Sequence, residues 1–140
     1  MIVDLQVNGT HDDGSPCDPT QVLALANVGW LDGVVVVGEG GLPDVAAYTA
    51  ARGEDDPLVF FGALVTTDRA RFVCIPKRLD DTGFLPPSAR AAGRLPSQEL
   101  LRHVGAREGA VIVCQPFDRD SGPAPGDLVF ALDGIHAVQT

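Results

Sequence analysis

The run GVVVV at residues 33–37 is the feature that most constrains the fold. Its β-branched side chains favour an extended backbone. A strand without polar residues on either face is typical of a strand buried on both faces, as in a parallel sheet. Glycines follow directly at positions 38, 40 and 41, so the strand is predicted to end there in a turn.

Strands and helices are predicted to alternate along the chain in the order β-α-β-α-β-β-α-β-β. The runs at 58–66 and 71–75 are predicted to form a hairpin, because only a few polar residues separate them. Such an alternation indicates an α/β fold with a mostly parallel sheet. The other predicted strands are 2–7, 110–114 and two segments within 128–138, and the predicted helices run from 19 to Gly29, from 43 to 52 and from 98 to 108.

The helix boundaries rest on capping residues. Asp18 is expected to cap the first helix, with Pro19 at its first position, and Ser97 is expected to cap the third. The inner face of the first helix is predicted to carry Val22, Leu23, Leu25 and Ala26.

A long segment at about 76–96 interrupts this pattern with four prolines and two glycines among charged residues. It is either an excursion over the surface or a disordered insert, and loops of this length are often functional. The 140 residues otherwise fit a single domain, 1–140, and 45% hydrophobic residues suffice for a core.

Charge and composition limit the partners. A formal charge of −9 would repel a phosphate backbone, so nucleic acid is not expected as a partner. No apolar window is long enough for a membrane span, and the N-terminus lacks a signal segment. Cys17, Cys74 and Cys114 are an odd number without C-x-x-C spacing, which favours a reducing cytoplasm over a zinc knuckle.

Polar residues at the carboxyl ends of the predicted strands mark one shared rim. These positions are Gln6 and Asn8, Glu39, residues 64–67, and Gln115. Ligands of α/β folds bind at this edge of the sheet.

The order of several short motifs resembles the polymerase and histidinol phosphatase (PHP) family. The family opens with D-L-H-x-H and then S-D-G, and this chain has DLQVN at 4–8 and DDG at 12–14. DGVVVVGEGGL at 32–42 is similar to the family's second strand, GALVTT at 62–67 to its G-x-E-x-x-T, and CQP at 114–116 to its A-H-P.

The resemblance implies a distorted, TIM-like β/α barrel, and leaves open whether this chain completes the ring. It also implies a metal site whose ligands are largely replaced. Asp13 is retained and Glu39 is a chemically suitable substitute, but amides and an aliphatic side chain stand at other ligand positions. The vestigial pocket implied by the resemblance comprises Gln6, Asn8, Asp13, Glu39, Leu64, Arg71, Gln115 and His136.

Several polar residues can be interpreted in two ways, one functional and one structural. The His11-Asp12-Asp13 run is either a residual metal cluster or an ordinary polar turn. Glycines 38, 40 and 41 either hold an anion through backbone N–H groups or relieve backbone strain. His103 is expected on a solvated helix face, and His136 either faces the pocket or belongs to a plain strand.

We therefore expect a catalytically inactive PHP-like domain that serves as a structural, interaction or small-ligand-binding module. No catalytic residue and no cofactor is expected. The alternative is a metal-dependent phosphoesterase with a reduced ligand set, in which Asp13, Glu39 and His136 hold one Zn²⁺, Mn²⁺ or Mg²⁺ ion.

Self-association is predicted from the length of the chain. PHP barrels generally need more residues to close, and an open sheet exposes an edge that proteins usually cover. A homo-oligomer, or a complex with a partner protein, would cover the side near 110–114 and 128–138. Size-exclusion chromatography with light scattering is expected to give a dimer or larger species, and a monomer at tens of micromolar would contradict the prediction.

Overall fold

The computed structural model of the chain describes residues 1–90, 95–114, 134 and 137–138. Three helices and six strands make up these parts, together with a short 3-10 helix at Pro87–Arg90. The strands are β1 Val3–Asn8, β2 Gly33–Glu39, β3 Leu58–Thr66, β4 Arg71–Ile75, β5 Ala110–Cys114 and β6 Ala137–Val138, and the helices are α1 Pro19–Val28, α2 Val45–Ala51 and α3 Ser97–Ala106.

One sheet contains all six strands in sequence order. β1, β2 and β3 are parallel, β4 is antiparallel to both β3 and β5, and β5 is parallel to β6. The prediction of a mostly parallel sheet was therefore wrong. The predicted hairpin is confirmed, and it explains the error: a connection of four residues cannot hold a crossover helix, so β4 must reverse direction in the middle of the sheet.

The sheet is an open, mixed half-barrel, so the predicted TIM-like barrel is also corrected. β1 lies at one edge and the two-residue β6 at the other, and among the described residues no pairing joins these two strands. The α/β class itself is confirmed. The predicted oligomer stays a prediction, as does the assignment of 1–140 to one domain.

All three helices pack on the same face of the sheet, which we call the helix face. Alternation along β3 places Phe61 beside the buried side chains of α1 and α2, and Ala63 and Val65 beside those of α3. The opposite face, which we call the inner face, carries a second apolar cluster that includes Val35, Val37 and Leu64. The run GVVVV is thus buried on both faces, as predicted.

Helix α1 begins as the sequence predicted, because the Asp18 carboxylate accepts a hydrogen bond from the Thr20 amide at 3.0 Å. Its inner face is only partly as predicted. Leu23 and Ala26 are buried, whereas Leu25 is 72% exposed. Side chains two residues apart on a helix point in directions that differ by roughly 200°, so Leu23 and Leu25 cannot both face the sheet.

Helix α3 is capped by a distant residue, and the prediction that Ser97 is its cap was wrong. Ser97 is the first residue of the helix, and Pro96 at the cap position makes no side-chain hydrogen bond. The Asp68 carboxylate accepts hydrogen bonds from the Ser97 amide at 2.9 Å and hydroxyl at 2.8 Å. The Ser97 hydroxyl also lies 2.6 Å from that of Thr67, so the hairpin turn and α3 are joined.

The described part of the 76–96 segment, residues 76–90 and 95–96, packs against α3. Phe84, Ala89 and Leu95 are buried in the same cluster as the apolar side chains of that helix. His103 is half-buried rather than solvated, with its ring Nε2 2.8 Å from the Gly83 carbonyl oxygen. Among the described residues no helix is long and apolar enough to cross a bilayer.

Replacing Asp68 tests the distant cap. Burial acts to raise the pKa of Asp68, but the Ser97 hydroxyl and amide outweigh it, and the pKa lies below its usual value of 3.8. A lowered folded-state pKa means that the stabilisation is present above the unfolded-state value and is lost as pH falls through the folded-state value. Asp68→Ala should lower the free energy of unfolding by about 1 kcal/mol at neutral pH, as measured by urea denaturation.

The same comparison in acid, below the folded-state pKa, should show a smaller difference between the variant and the parent protein. Asp55→Ala is the matched control, since Asp55 is exposed and far from α3 in sequence. An equal loss from Asp68→Ala at both pH values would show that the charged cap is not what stabilises α3.

Candidate binding site at the strand ends

Three neighbouring strands bring Glu39, Leu64 and Arg71 together at one end of the inner face. Glu39 pairs with Leu64 across β2 and β3, and Thr66 pairs with Arg71 across the hairpin. Because side chains alternate along a strand, all of these residues point to the face that carries Val37. Three of the predicted pocket residues are therefore neighbours.

A β-bulge in β1 brings one more of the predicted residues, Asn8, to this face. Asp4 aligns with Val34, but Val7 aligns with Val36, so β1 contains one extra residue between them. Within this bulge the backbone amide of Gln6 donates a hydrogen bond to the Asp4 carboxylate at 3.0 Å. The extra residue shifts the alternation, and Asn8 aligns with Val37 on the inner face instead of the helix face.

An ion pair crosses the rim. Arg71 Nη2 donates to Glu39 Oε2 at 3.3 Å, which means that the guanidinium of β4 reaches past β3 to the end of β2. The side chains are 38% and 66% exposed, so solvent screens the pair. Pairs of this kind contribute about 0–1 kcal/mol to stability. The main effect here is to place the positive charge of Arg71 beside Glu39, the rim carboxylate that would suit a metal ion.

Buried apolar side chains and an unreactive thiol lie beneath this ion pair on the inner face. Leu64 is 3% exposed and packs in the inner-face cluster with Val73 and Cys114. Burial raises the pKa of Cys114 to about 11, against smaller lowering effects from the Val73 backbone and Arg71. The Cys114 thiol therefore stays protonated at neutral pH and is a poor nucleophile and metal ligand.

Asp13 lies in the exposed turn after β1 and is engaged locally. Its Oδ1 accepts hydrogen bonds from the Ser15 hydroxyl at 2.5 Å and from the Ser15 amide at 2.9 Å. These bonds lower the pKa of Asp13, the hydroxyl having the larger effect. The arrangement is an ordinary Asx turn, which favours the polar-turn interpretation of residues 11–13.

The described residues do not fit a metal centre of the PHP kind. In the parts of the chain that the structure describes, no group of three or more His, Cys, Asp or Glu side chains could hold an ion. Leu64 has no donor atom, and Arg71 brings a positive charge to Glu39. Gln115 and His136, the two other predicted pocket residues, lie outside the described residues, so the predicted pocket as a whole stays a prediction.

A tight turn follows β2, and backbone geometry accounts for the glycines at positions 38 and 40. The Gly40 amide donates to the Leu64 carbonyl oxygen at 2.8 Å, so it does not point to an open anion site. Gly40 has a φ of +65°, which favours glycine. A Cβ at Gly38 would lie 2.5 Å from the Gly41 carbonyl oxygen and 2.9 Å from backbone atoms of Leu42 and Pro43.

Both Arg71 and Glu39 were predicted in the pocket, but the ion pair between them was not. The signal was present in the hairpin, since an antiparallel β4 aligned with β3 places Arg71 on the same face as Leu64 and, one strand further, Glu39. The sequence defined the turn at 67–70, but which residues of β3 and β4 align across it is seen only in the structure.

Comparison with known proteins shows the fold and no more. The chain aligns with a crystal structure from Bifidobacterium adolescentis described as a "putative metal-dependent phosphoesterase", with a TM-score of 0.64 and 10% sequence identity over 99% of this chain and 76% of that protein. No protein-family model matches the chain, and no curated protein matches it. Membership of the PHP family, which the sequence motifs suggested, therefore remains a prediction. The structural match shows only a similar fold.

Two glycine substitutions test the geometry of the turn. Gly38→Ala should lower the free energy of unfolding by about 2 kcal/mol, because the new methyl group meets backbone atoms that cannot move aside. Gly105→Ala is the matched control in α3, where nothing lies within 4 Å of a new Cβ. It should raise the free energy of unfolding by about 0.5–1 kcal/mol. Equal effects in chemical denaturation would contradict this description of the turn.

Proposed function

We propose that this chain is a binding domain on a phosphoesterase-like fold, and that it does not hydrolyse phosphoesters. Its rim takes a small polar ligand by hydrogen bonds and charge from protein side chains instead of through metal ions. The groups available for this are the amides of Gln6 and Asn8 and the charged side chains of Glu39 and Arg71.

The Arg71–Glu39 ion pair is the observation that carries this proposal. Metal-assisted hydrolysis requires ions that position and deprotonate a water molecule, and such ions need several anionic or imidazole ligands close together. A guanidinium at 3.3 Å from the Glu39 carboxylate would repel a divalent cation there. The same guanidinium is suited to orient a polar ligand, since it presents several N–H donors in a fixed plane.

The amides on β1 support the same proposal. The bulge, which contains the half-buried Gln6, places Asn8 beside Val37 on the inner face. Amide side chains both donate and accept hydrogen bonds, and they are poor replacements for imidazole as metal ligands. A rim with two amides and a balanced ion pair suits a neutral or zwitterionic molecule better than a phosphate ester.

A metal-dependent phosphoesterase is the second candidate. The fold supports it, because the structural neighbour from Bifidobacterium adolescentis carries that description. In this alternative Asp13, Glu39 and His136 would bind one Zn²⁺, Mn²⁺ or Mg²⁺ ion, and Arg71 would have to release Glu39.

Metal content and hydrolysis distinguish the two proposals. Protein purified without chelator should contain far less than one equivalent of metal by elemental analysis. Hydrolysis of an aryl phosphate in added Mn²⁺ or Zn²⁺ should equal that of buffer, because the described rim residues form no cluster of three metal-binding side chains.

Variants of the turn at residues 11–13 show whether any bound metal depends on Asp13. Asp13→Ala and the matched control Asp12→Ala, also in the exposed turn, should both leave the metal content unchanged at background level. Stoichiometric metal that Asp13→Ala removes and Asp12→Ala retains would establish the phosphoesterase alternative and overturn our proposal.

A further inference from the structure

Exposed apolar side chains gather where α1 ends and β1 begins. Four large hydrophobic side chains are exposed there by 62% to 86%, namely those of Ile2, Leu25, Val28 and Trp30. The start of β1 adjoins the segment after α1, because the Asp32 carboxylate accepts a hydrogen bond from the Ile2 amide at 2.6 Å. We call these four residues the α1 patch. A cluster of exposed apolar side chains usually marks an interaction site.

Helix α1 carries no charge and is largely apolar all round. Leu23 and Ala26 are buried against the sheet. The exposed side follows the spacing i, i+3, i+4 and i+7 of one helix face and consists of Gln21, Ala24, Leu25 and Val28. Helix α3, by contrast, exposes the charged residues Glu99 and Arg102. A helix that is apolar all round is typical of one that is covered on both sides.

Trp30 occupies a backbone position that normally belongs to glycine. Its φ is +56° and its amide donates to the Asn27 carbonyl oxygen at 3.1 Å, so it is the left-handed residue that ends many helices. Glycine is preferred there because a side chain is strained at positive φ. The Trp30 residue is 86% exposed, so little packing within the described chain offsets this strain. A large aromatic side chain at such a position indicates a contact outside the chain.

The charge of the protein limits what can cover the patch. The formal charge is −9, so two copies repel each other over most of their surface. In a twofold contact each copy presents the same patch to the other, and any charge near the axis meets a charge of the same sign. Residues 19–31 contain no charged side chain. The patch is therefore suited to a second copy of the chain.

We propose that the α1 patch is the interface through which two copies of this chain form a dimer. The two α1 helices pack antiparallel across a twofold axis, so that Leu25 and Val28 of each contact the same residues of the other. Trp30 covers the partner's Ala24, whose small side chain leaves room for the indole ring. Trp30 precedes β2 and Glu39 ends it, so the patch and the rim lie at opposite ends of this strand. This inference therefore goes beyond the proposed function and does not depend on what the rim binds.

Two other contacts suit the molecule less well. Strand β1 lies at an edge of the sheet, but its bulge and the exposed Asp4 are features that hinder the addition of another strand. We therefore expect the helices to meet and not the sheet edges. A membrane would accept the apolar side chains of the patch, but anionic lipids repel a chain with a charge of −9.

Trp30 reports directly on the proposed interface, because it is the single tryptophan of the chain. Sedimentation velocity from about 1 to about 200 µM should show a reversible change from monomer to dimer. Over the same range the fluorescence emission of Trp30 should move to shorter wavelength and become less sensitive to acrylamide, since the indole leaves water. Association without either change would place the interface elsewhere, such as near 110–114, and would overturn the proposal.

A charged residue in the patch should prevent association. Leu25→Glu should weaken the dimer at least about tenfold, because it sets two carboxylates beside the twofold axis. Its monomer should unfold in urea as the parent protein does, since Leu25 is exposed. Leu79→Glu is the matched control, because Leu79 is also exposed and lies outside α1 and the patch, and it should retain the dimer. Equal weakening by both variants, or no weakening by Leu25→Glu, would contradict the proposal.

Trp30→Gly separates an interface residue from a structural one. It should weaken the dimer about tenfold, as expected for the loss of a buried aromatic side chain. At about 1 µM, where the monomer predominates, the same variant should raise the unfolding midpoint by about 3 °C, because glycine relieves the strain at positive φ. A less stable monomer with unchanged dimerisation would show that Trp30 is a structural residue, and the proposal would fail.

Other occupants of the patch give different results. Vesicles of neutral phosphatidylcholine should leave the Trp30 emission of about 1 µM protein unchanged. An emission shift that vesicles cause and protein concentration does not would establish a lipid surface as the occupant. A monomer with water-exposed Trp30 up to about 200 µM would leave the patch to a different protein. Either result would overturn the dimer.

Discussion

The hairpin turn at residues 67–70 is the constraint on which the rest of the structure depends. The Thr67 hydroxyl bonds to the Ala70 carbonyl oxygen at 2.8 Å and lies 2.6 Å from the Ser97 hydroxyl, and Asp68 caps the first turn of α3. Thr67 and Ser97 are buried polar residues that satisfy each other. A short closed turn of this kind fixes the direction of β4 and also anchors the helix that covers it.

The reversal of β4 decides what the rim can do. An antiparallel β4 begins at the strand end where β2 finishes, so Arg71, its first residue, lies within reach of Glu39. Leu64 lies between them on β3 and closes the floor with an apolar side chain. A fold similar to that of a protein described as a putative metal-dependent phosphoesterase thus carries a charge-balanced rim in this chain.

Local features were predictable from the sequence, and those that join distant residues were not. The buried strand GVVVV, the hairpin and the Asp18 cap each depend on a few consecutive residues, and the structure confirms them. The cap of α3 comes from Asp68, 29 positions before Ser97, and no local pattern could assign it. The mixed direction of the sheet follows from the local hairpin, whereas the pairing of β4 with β5 joins residues far apart in the sequence.

The site shows the same division. The strand ends were enough to name Gln6, Asn8, Glu39 and Leu64 as rim residues, and the resemblance to PHP proteins added Arg71. The structure brings Glu39, Leu64 and Arg71 together on neighbouring strands. The ion pair needed the strand register. The sequence also gave no sign that the Tyr48 hydroxyl lacks a hydrogen-bond partner among the described residues.

A crystal structure of protein grown with excess Mn²⁺, with anomalous diffraction data, tests the central claim most directly. The account predicts Arg71 within hydrogen-bond distance of Glu39 and no anomalous peak at the strand ends. A strong peak bound by the Glu39 carboxylate, with the Arg71 side chain turned away, would contradict it.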